Sequence, residues 1–405
     1  MKILLTDGSG LTSRQVAGLL AAAGHRVEVL SPDPVCLCRL TRHVHRVRRV
    51  PPYGADPLRW LDAAVASYRA GAFDVLLPTQ EQAAVLAAFP GRLRAAGVRT
   101  AVPAFASLAA VQDKVAAYRT LSRLGIPQPA GAVGTDGWRH YPAFVKQPIG
   151  TAAGGVRRIT GPAGLHAPGD AATVLVQAQA DGPLVMCQSV FDRGALVVFH
   201  ANLRVAEGAG GGASHKRGID LPAARDWVER LGRALGWHGA LSADAILTAG
   251  GPLFIDLNPR LVEPVNAARD GADLAGALVE IAVGGHPAPV PAAAAGAVTH
   301  QLVLAVLGAA ARNGRRGVAG ELARACRRAG PYAGSHEELT PLRGDPLSAV
   351  PLLRTALATL IRPSAGAALT GGSVASYALS PHGWDQIRDR AEPPAAATCG
   401  AASGG

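Results

Sequence analysis

The segment Phe254-Ile-Asp-Leu-Asn-Pro-Arg260 sets an acid, an amide and a guanidinium at two-residue intervals behind an apolar run. Side chains on a strand alternate, so Asp256 and Asn258 project from one face while Leu257 points into a core, and Arg260 follows beyond the proline. A turn at Thr248-Ala-Gly-Gly251 joins this strand to Leu241–Leu247 as a hairpin, which brings Ser242-Ala-Asp244 alongside. Two carboxylates and an amide oxygen on one surface form a hard-oxygen set suited to Mg²⁺ held together with nucleotide phosphates. The same residues also suit a strand end that only caps a turn, and the motif by itself leaves both readings open.

A second constellation is Ala143-Phe-Val-Lys146-Gln-Pro-Ile-Gly150-Thr-Ala-Ala-Gly154-Gly155-Val-Arg157, a lysine on a strand followed by a hairpin of small residues. Backbone amides of such a hairpin can close over phosphates while the lysine neutralises their charge; an ordinary glycine-rich hairpin has the same composition. Residues 208–218 form a glycine-rich loop too poor in bulk to pack a core, with Lys216 and Arg217 at its end, where an acyl phosphate would need cations. A plain surface loop is the other reading. Glu263 and Asn266 lie close enough to Arg260 to orient an amine or a carboxylate, or Glu263 pairs with Arg260. Of His200, His215 and His300, only His215 falls among other candidate groups.

Lysine usage sharpens this choice. Of 40 basic residues only four are lysines, at positions 2, 114, 146 and 216, so arginine serves for most surface cations and the lysines mark places that call for a compact point charge. The net charge of +11 invites nucleic acid, but arginines are spread along the chain, with modest clusters only at 39–49 and 312–328, and aromatics make up 4%. No nucleic-acid partner is expected, and the basic clusters read as solvated helix faces.

Positioning these groups requires more than one folding unit. The chain has 405 residues, 49% apolar and 17% charged, which excludes global disorder and fits about two to four domains. Lys2 to Thr6 reads as a strand, Ser13 to Ala23 as a helix, Val27 to Leu30 as a strand, Leu58 to Ala70 as a helix and Asp74 to Pro78 as a strand: a doubly wound α/β unit. A helix is expected over Leu108–Leu124. Strands follow over Ala143–Gln147, Gly150–Arg158, Thr173–Ala178, Leu184–Phe191 and Ala195–Asn202, then a helix over Ala223–Leu235 and the hairpin ending at Asn258. Pro287–Ala295 is Pro/Ala-rich linker, and the chain from there to about Arg390 reads as mainly helical with basic faces.

Gln112-Asp-Lys114 opening a helix, Phe144-Val-Lys146, the glycine hairpin and Asp256-Leu-Asn258-Pro-Arg260 occur in that order after a Rossmann-like unit. Over about residues 1–285 this resembles the ATP-grasp superfamily of carboxylate-amine ligases. The resemblance implies an α/β and α+β fold: a Rossmann-like pre-ATP-grasp domain over 1–104, a two-lobed ATP-grasp domain over 105–285, a linker and mainly helical C-terminal region over 286–390, and a disordered tail over 391–405. It gives Lys114 and Lys146 phosphate-contacting roles, makes Gly150, Gly154 and Gly155 part of a mobile lid, and puts Gln177 and Ala178 in the hinge that reads adenine. Asp244, Asp256 and Asn258 would hold Mg²⁺; Arg260, Lys216 and Arg217 would be catalytic. Three departures stand out: the second metal carboxylate is Asp256 rather than glutamate, the hinge Leu175-Val-Gln-Ala-Gln-Ala180 lacks its usual glutamate, and no ribose-binding acid stands near Leu184.

The activity implied is ATP-dependent joining of a small-molecule carboxylate to an amine or another nucleophile through an acyl phosphate, releasing ADP and phosphate. The alternative is a degenerate ATP-grasp module that binds nucleotide and docks a partner through its basic C-terminal region. A third reading, a nicotinamide oxidoreductase, rests only on Gly8 and Gly10 in Asp7-Gly-Ser-Gly10, which lacks the third glycine of that fingerprint. Five scattered cysteines, no spanning apolar stretch and no signal-like N-terminus point to a cytoplasmic protein with no membrane partner. Cys36 and Cys38 lack a second pair at metal-binding spacing. A homo-oligomer is left open.

Overall fold

Apolar runs bounded by turns become buried parallel strands at Lys2–Leu5, Arg26–Ser31 and Val75–Leu77 in the N-terminal part of the chain. The structure is a computed structural model that describes residues 1–165, 173–290 and 295–393. Its first sheet runs in the order Val44–Arg49, Arg26–Ser31, Lys2–Leu5, Val75–Leu77, all parallel, with helices Leu11–Ala22 and Pro57–Gly71 in the connections. The edge strand Val44–Arg49 is a correction: it lies in the basic cluster expected to be a helix face. Its arginines sit where charge discourages further strand pairing.

The single helix expected over Leu108–Leu124 is two, Phe105–Gln112 and Lys114–Arg123. Asp113 leaves helical geometry (φ −82°, ψ 123°), and its carboxylate accepts the backbone N–H groups of Val115 and Ala116. The break makes Lys114 the first residue of the second helix.

A small antiparallel sheet follows, in the order Gly131–Val133, Leu175–Ala178, Ala143–Lys146, Val156–Ile159, around Val145, Ile159, Val174 and Val176. The strand expected over Gly150–Arg158 is confined to Val156–Ile159. Positions 150–155 coil instead into a tight loop in which a Cβ on Gly150 would lie 2.0 Å from the Gly154 carbonyl oxygen.

The large sheet has seven strands in the order Gly251–Asn258, Gly239–Thr248, Leu184–Asp192, Ala195–Glu207, Ala213–Ile219, Val298–His300, His336–Glu337. The long loop expected over 208–218 is therefore mostly strand, because Ala213–Ile219 pairs on one side with Ala195–Glu207 and on the other with Val298–His300. The segment after 285 adds two strands to this sheet, Val298–His300 and His336–Glu337, separated by the helix Leu302–Cys326 and followed by helices.

The helices Leu302–Cys326, Ala349–Ile361, Ala365–Ala375 and Pro381–Arg390 complete the described chain, the first broken at Gly314 (φ 57°). The last returns to the N-terminal domain, where Leu379, Trp384 and Ile387 share a core with Trp60, Leu61 and Leu86. Ser380 Oγ donates to the Gly54 carbonyl at 2.6 Å, and a Cβ on Gly54 would lie 2.5 Å from the Ala378 carbonyl oxygen. Apart from 391–393 the expected tail lies outside the described residues, as does 291–294 of the linker. Among the described residues no helix is long and apolar enough to cross a membrane.

Candidate active site

Hairpin register does what strand alternation predicts: Asp244 stands directly opposite Asp256, and Ser242 opposite Asn258. Burial, and then the nearby Asp256, raise the Asp244 pKa to about 7. Two half-buried carboxylates that repel each other, with an amide oxygen two residues on, are suited to a divalent cation.

Lys114 closes one side of this pair, its Nζ 3.2 Å from Asp256 Oδ1 and 3.5 Å from the Gly150 carbonyl oxygen, while its backbone N–H donates to Pro148 at 2.9 Å. Burial pulls its pKa down, but the Asp256 charge outweighs this and the net shift is upward. Lys146 is buried; its Nζ donates to Gln177 Oε1 at 2.8 Å and to the Ile255 carbonyl at 2.7 Å. Burial dominates there, only partly offset by Asp256, and lowers the pKa to about 8.

Arg260 donates to Asn258 Oδ1 at 3.4 Å, and its Nε lies 3.5 Å from Glu81 Oε1. Glu81 follows the parallel strand Val75–Leu77, at the carboxyl edge where open α/β sheets place ligands, and also accepts from Gln112 Nε2 at 2.8 Å. No motif in the sequence singles out Glu81, although the polar run Thr79-Gln-Glu-Gln82 after a strand is a usable signal. Tyr377 is likewise unmarked: nearly buried, it sits in the electrostatic field of Arg260, Asp7, Glu81 and Glu263. One helical turn earlier, Ser373 Oγ donates to the Ser9 carbonyl at 2.6 Å, which fastens this segment over the first turn of the N-terminal domain.

Lys216 and Arg217 part company. They are neighbours on the strand Ala213–Ile219, so they point to opposite faces; Lys216 is 1% exposed and Arg217 is exposed. The Lys216 ammonium lies 2.6 Å from both Glu263 Oε2 and Glu338 Oε2. Burial opposes its charge, but the two carboxylates prevail and raise its pKa. Gln15 Nε2 supports Glu338 at 3.1 Å, and Gln301 Nε2 donates to Glu263. Glu263 therefore contacts Lys216 rather than Arg260. It sits at φ 56°, a left-handed conformation unusual for a residue with a Cβ, fixed by a bond from its N–H to Thr12 Oγ1 at 3.3 Å. Asn266 is buried against Thr299 Oγ1 at 2.8 Å.

The hinge residues are committed internally, with the Gln177 amide on Lys146 and the Ala178 N–H on the Ala130 carbonyl at 2.8 Å. Gly154 and Gly155 share the tight loop with Gly150. His215 and His300 stack at 5.7 Å on the face opposite Lys216, each lowered to about 4 by burial, and His200 pairs with Asp270 at 2.9 Å. Among the described residues no group of three or more His, Cys, Asp or Glu is arranged to hold a metal. At the first turn the backbone N–H groups that a dinucleotide would use are already engaged. The Asp7 carboxylate accepts the Ser9 and Gly10 N–H groups at the helix N-terminus, and a Cβ on Gly10 would lie 2.2 Å from Gln80 Nε2.

No protein-family model matches the sequence, and no curated protein matches it. Solved structures do match the fold. The chain is similar to biotin carboxylase from Campylobacter jejuni, determined with β,γ-ATP, at 16% identity and TM-score 0.57, over 72% of each chain. It is similar to L-amino acid ligase from Bacillus licheniformis at 16% identity and TM-score 0.56, over 71% of this chain and 75% of that one. N5-carboxyaminoimidazole synthetase from Staphylococcus aureus gives 14% identity and TM-score 0.56, over 74% and 82%. At these identities the likeness is one of fold: the chain shares the mixed α/β architecture of these structures.

Proposed function

We propose that the protein is an ATP-dependent ligase that joins a small-molecule carboxylate to an amine through an acyl phosphate. The observation that carries this reading is one connected set of charges: Lys114 on Asp256, Asp244 opposite, Lys146 on the Ile255 carbonyl, and Arg260 between Asn258 and Glu81. Four separated segments build it, and a strand end that only caps a turn needs none of them.

In this reading Lys114 and Lys146 exchange their internal partners for ATP phosphates. Asp244, Asp256 and Asn258 would hold Mg²⁺, which when bound supplies charge neutralisation on the phosphate oxygens. A substrate carboxylate oxygen attacks the γ-phosphorus, the bond to the bridging oxygen breaks, and ADP leaves. The guanidinium of Arg260 faces the charge that develops on the transferred phosphoryl group. The loop carrying Gly150, Gly154 and Gly155 covers the phosphates and excludes water. The amine nitrogen then attacks the acyl carbon, inorganic phosphate leaves with the C–O bonding electrons, and the Glu263 carboxylate takes the proton lost by nitrogen. Lys216 positions Glu263, and Arg217 takes no part.

Binding of adenine is assigned to the hinge Leu175–Ala180, where the Gln177 side chain and the Ala178 N–H would have to exchange their internal partners for the base. We also assign the protein to the cytoplasm: Cys36, Cys38, Cys187 and Cys326 are free thiols, which suits a reducing compartment.

The test is ADP formation across a panel of carboxylates with hydroxylamine as trapping nucleophile, which converts an acyl phosphate to a hydroxamate. Carboxylate-dependent ADP and hydroxamate, lost in folded Asn258→Ala and Lys146→Ala, is the expected result. Mg²⁺-dependent ATP binding with no ADP from any carboxylate would favour the degenerate nucleotide-binding module.

A further inference from the structure

The helix Leu302–Cys326 breaks at Gly314, where φ 57° and ψ −147° leave helical geometry, and a second helical segment starts at Arg315. A cavity of about 310 Å³ is lined from both sides of this break. Its lining residues recur every three or four positions from 309 to 324, the spacing of one helix face. Three of them are arginines, at 312, 316 and 324, so part of the basic cluster expected to be a solvated face converges on one concave volume.

The charges there do not cancel. Glu321 is the one acid in the lining, and both of its oxygens are taken: the Tyr332 hydroxyl donates to Oε1 at 2.6 Å, and Arg324 pairs with Oε2. Among the described residues Arg312 meets only a neutral partner, the Glu207 carbonyl oxygen at 3.3 Å, and Arg316, which is exposed, has no hydrogen bond or ion pair. Three guanidinium groups against one carboxylate leave an excess of positive charge around the cavity. Arg316 and Gly317 also belong to the first turn after the break, so the positive end of that segment's dipole lies at the cavity.

The floor is bare. A Cβ built on Gly320 would meet nothing nearer than Arg324 Nη1 at 3.9 Å. At Gly317 a Cβ would lie 2.6 Å from the Ala309 carbonyl oxygen, so glycine is what lets the two sides of the break stand this close. The lining offers no large apolar side chain to an apolar ligand. Guanidinium forks match phosphate oxygens two at a time, and a phosphate dianion carries the charge this volume lacks. Nucleic acid calls for aromatic platforms, and Tyr332, the ring bonded here, is buried with its hydroxyl on Glu321.

We propose that the cavity at the Gly314 break is a binding site for a phosphate dianion, free or carried on a small ester, held by Arg312, Arg316 and Arg324. It shares no residue with the candidate active site, so it stands apart from the proposed reaction.

Calorimetric titration of inorganic phosphate and of glycerol 3-phosphate into the full chain at low ionic strength tests it. Equal affinities mean that free phosphate suffices, and tighter binding of the ester points to a phosphorylated metabolite. Arg312→Ala/Arg316→Ala should weaken binding about tenfold or more with circular dichroism unchanged. Gly320→Leu should abolish binding by filling the floor while every charge stays in place. Glu321→Gln keeps an acceptor for Tyr332 and releases Arg324, so it should bind more tightly. Lys146→Ala, in the candidate active site, should bind as the wild type does. No saturable binding by the wild type overturns the proposal, as does binding that survives the double arginine change, or a Glu321→Gln variant that binds more weakly. Binding lost in Lys146→Ala also overturns it and assigns the phosphate to the candidate active site. A duplex oligonucleotide that binds the wild type and is not displaced by phosphate overturns it too, and assigns the arginines to nucleic acid.

Discussion

Asp244 and Asp256 face each other across neighbouring antiparallel strands, and Lys114 reaches only the second of them. Asp244 is thus the carboxylate that resists ionisation. Below about pH 7 it is protonated in the free protein and must lose that proton to bind a divalent cation, so cation affinity should fall as pH drops, approaching about tenfold per pH unit. Calorimetric titration of Mg²⁺ in the presence of ATP at several pH values checks this. Asp244→Asn should bind more weakly and lose the pH dependence.

Lys146 sets the opposite limb. Its lowered pKa of about 8 means that it discharges in the free protein as pH rises through that value, and ATP affinity should decline with it. Lys146→Arg, which stays charged, should flatten the alkaline decline, and Lys146→Ala should reduce turnover about 100-fold or more. An ATP affinity indifferent to pH from about 7 to 10 would contradict the assignment.

Removing Lys216 strands two carboxylates in the interior. Lys216→Met should cost about 3–5 kcal/mol in urea denaturation, and adding Glu338→Gln should recover part of the loss, because only one buried charge then remains. Arg217→Ala, on the exposed face, should change stability by no more than about 0.5 kcal/mol. Equal effects of the two single changes would rule out the division of labour drawn from the strand.

Tyr377 is buried within the electrostatic field of Arg260 and Glu263. Tyr377→Ala should raise the KM of a substrate that lies between them while leaving the ATP KM unchanged, and Tyr377→Phe should separate the hydroxyl from the ring. Steady-state kinetics with each substrate varied in turn reads out the difference. A loss confined to kcat would point to chemistry instead of positioning.

Legibility in the sequence followed the range of the physics involved. Period-two alternation acts between neighbours, and it suffices to place Asp256 and Asn258 on one face, with a four-residue turn bringing Asp244 across. Lys114 and Lys146 stood out because lysine is scarce. Ala213–Ile219 was hidden, since its strand character comes from distant partners at Ala195–Glu207 and Val298–His300 and overrides its glycine-rich approach. Asp113 shows the reverse case: a local cap that hydrophobic periodicity reads straight through. Glu81 and Tyr377 come within electrostatic range of Arg260 from far apart in the chain, and no local pattern marks either.

The bonds from Ser373 to Ser9 and from Ser380 to Gly54, with Trp384 and Ile387 packed beside Trp60 and Leu61, join the last described helices to the first domain. Contacts of such sequence separation are slow to form and cannot begin before their C-terminal members exist. A nascent chain therefore carries a first domain with part of its core open to solvent throughout synthesis, and chaperone dependence should centre on that surface. The charged groups around Arg260 would then be among the last parts of the molecule to assemble, so newly made chains should become resistant to protease before they become active.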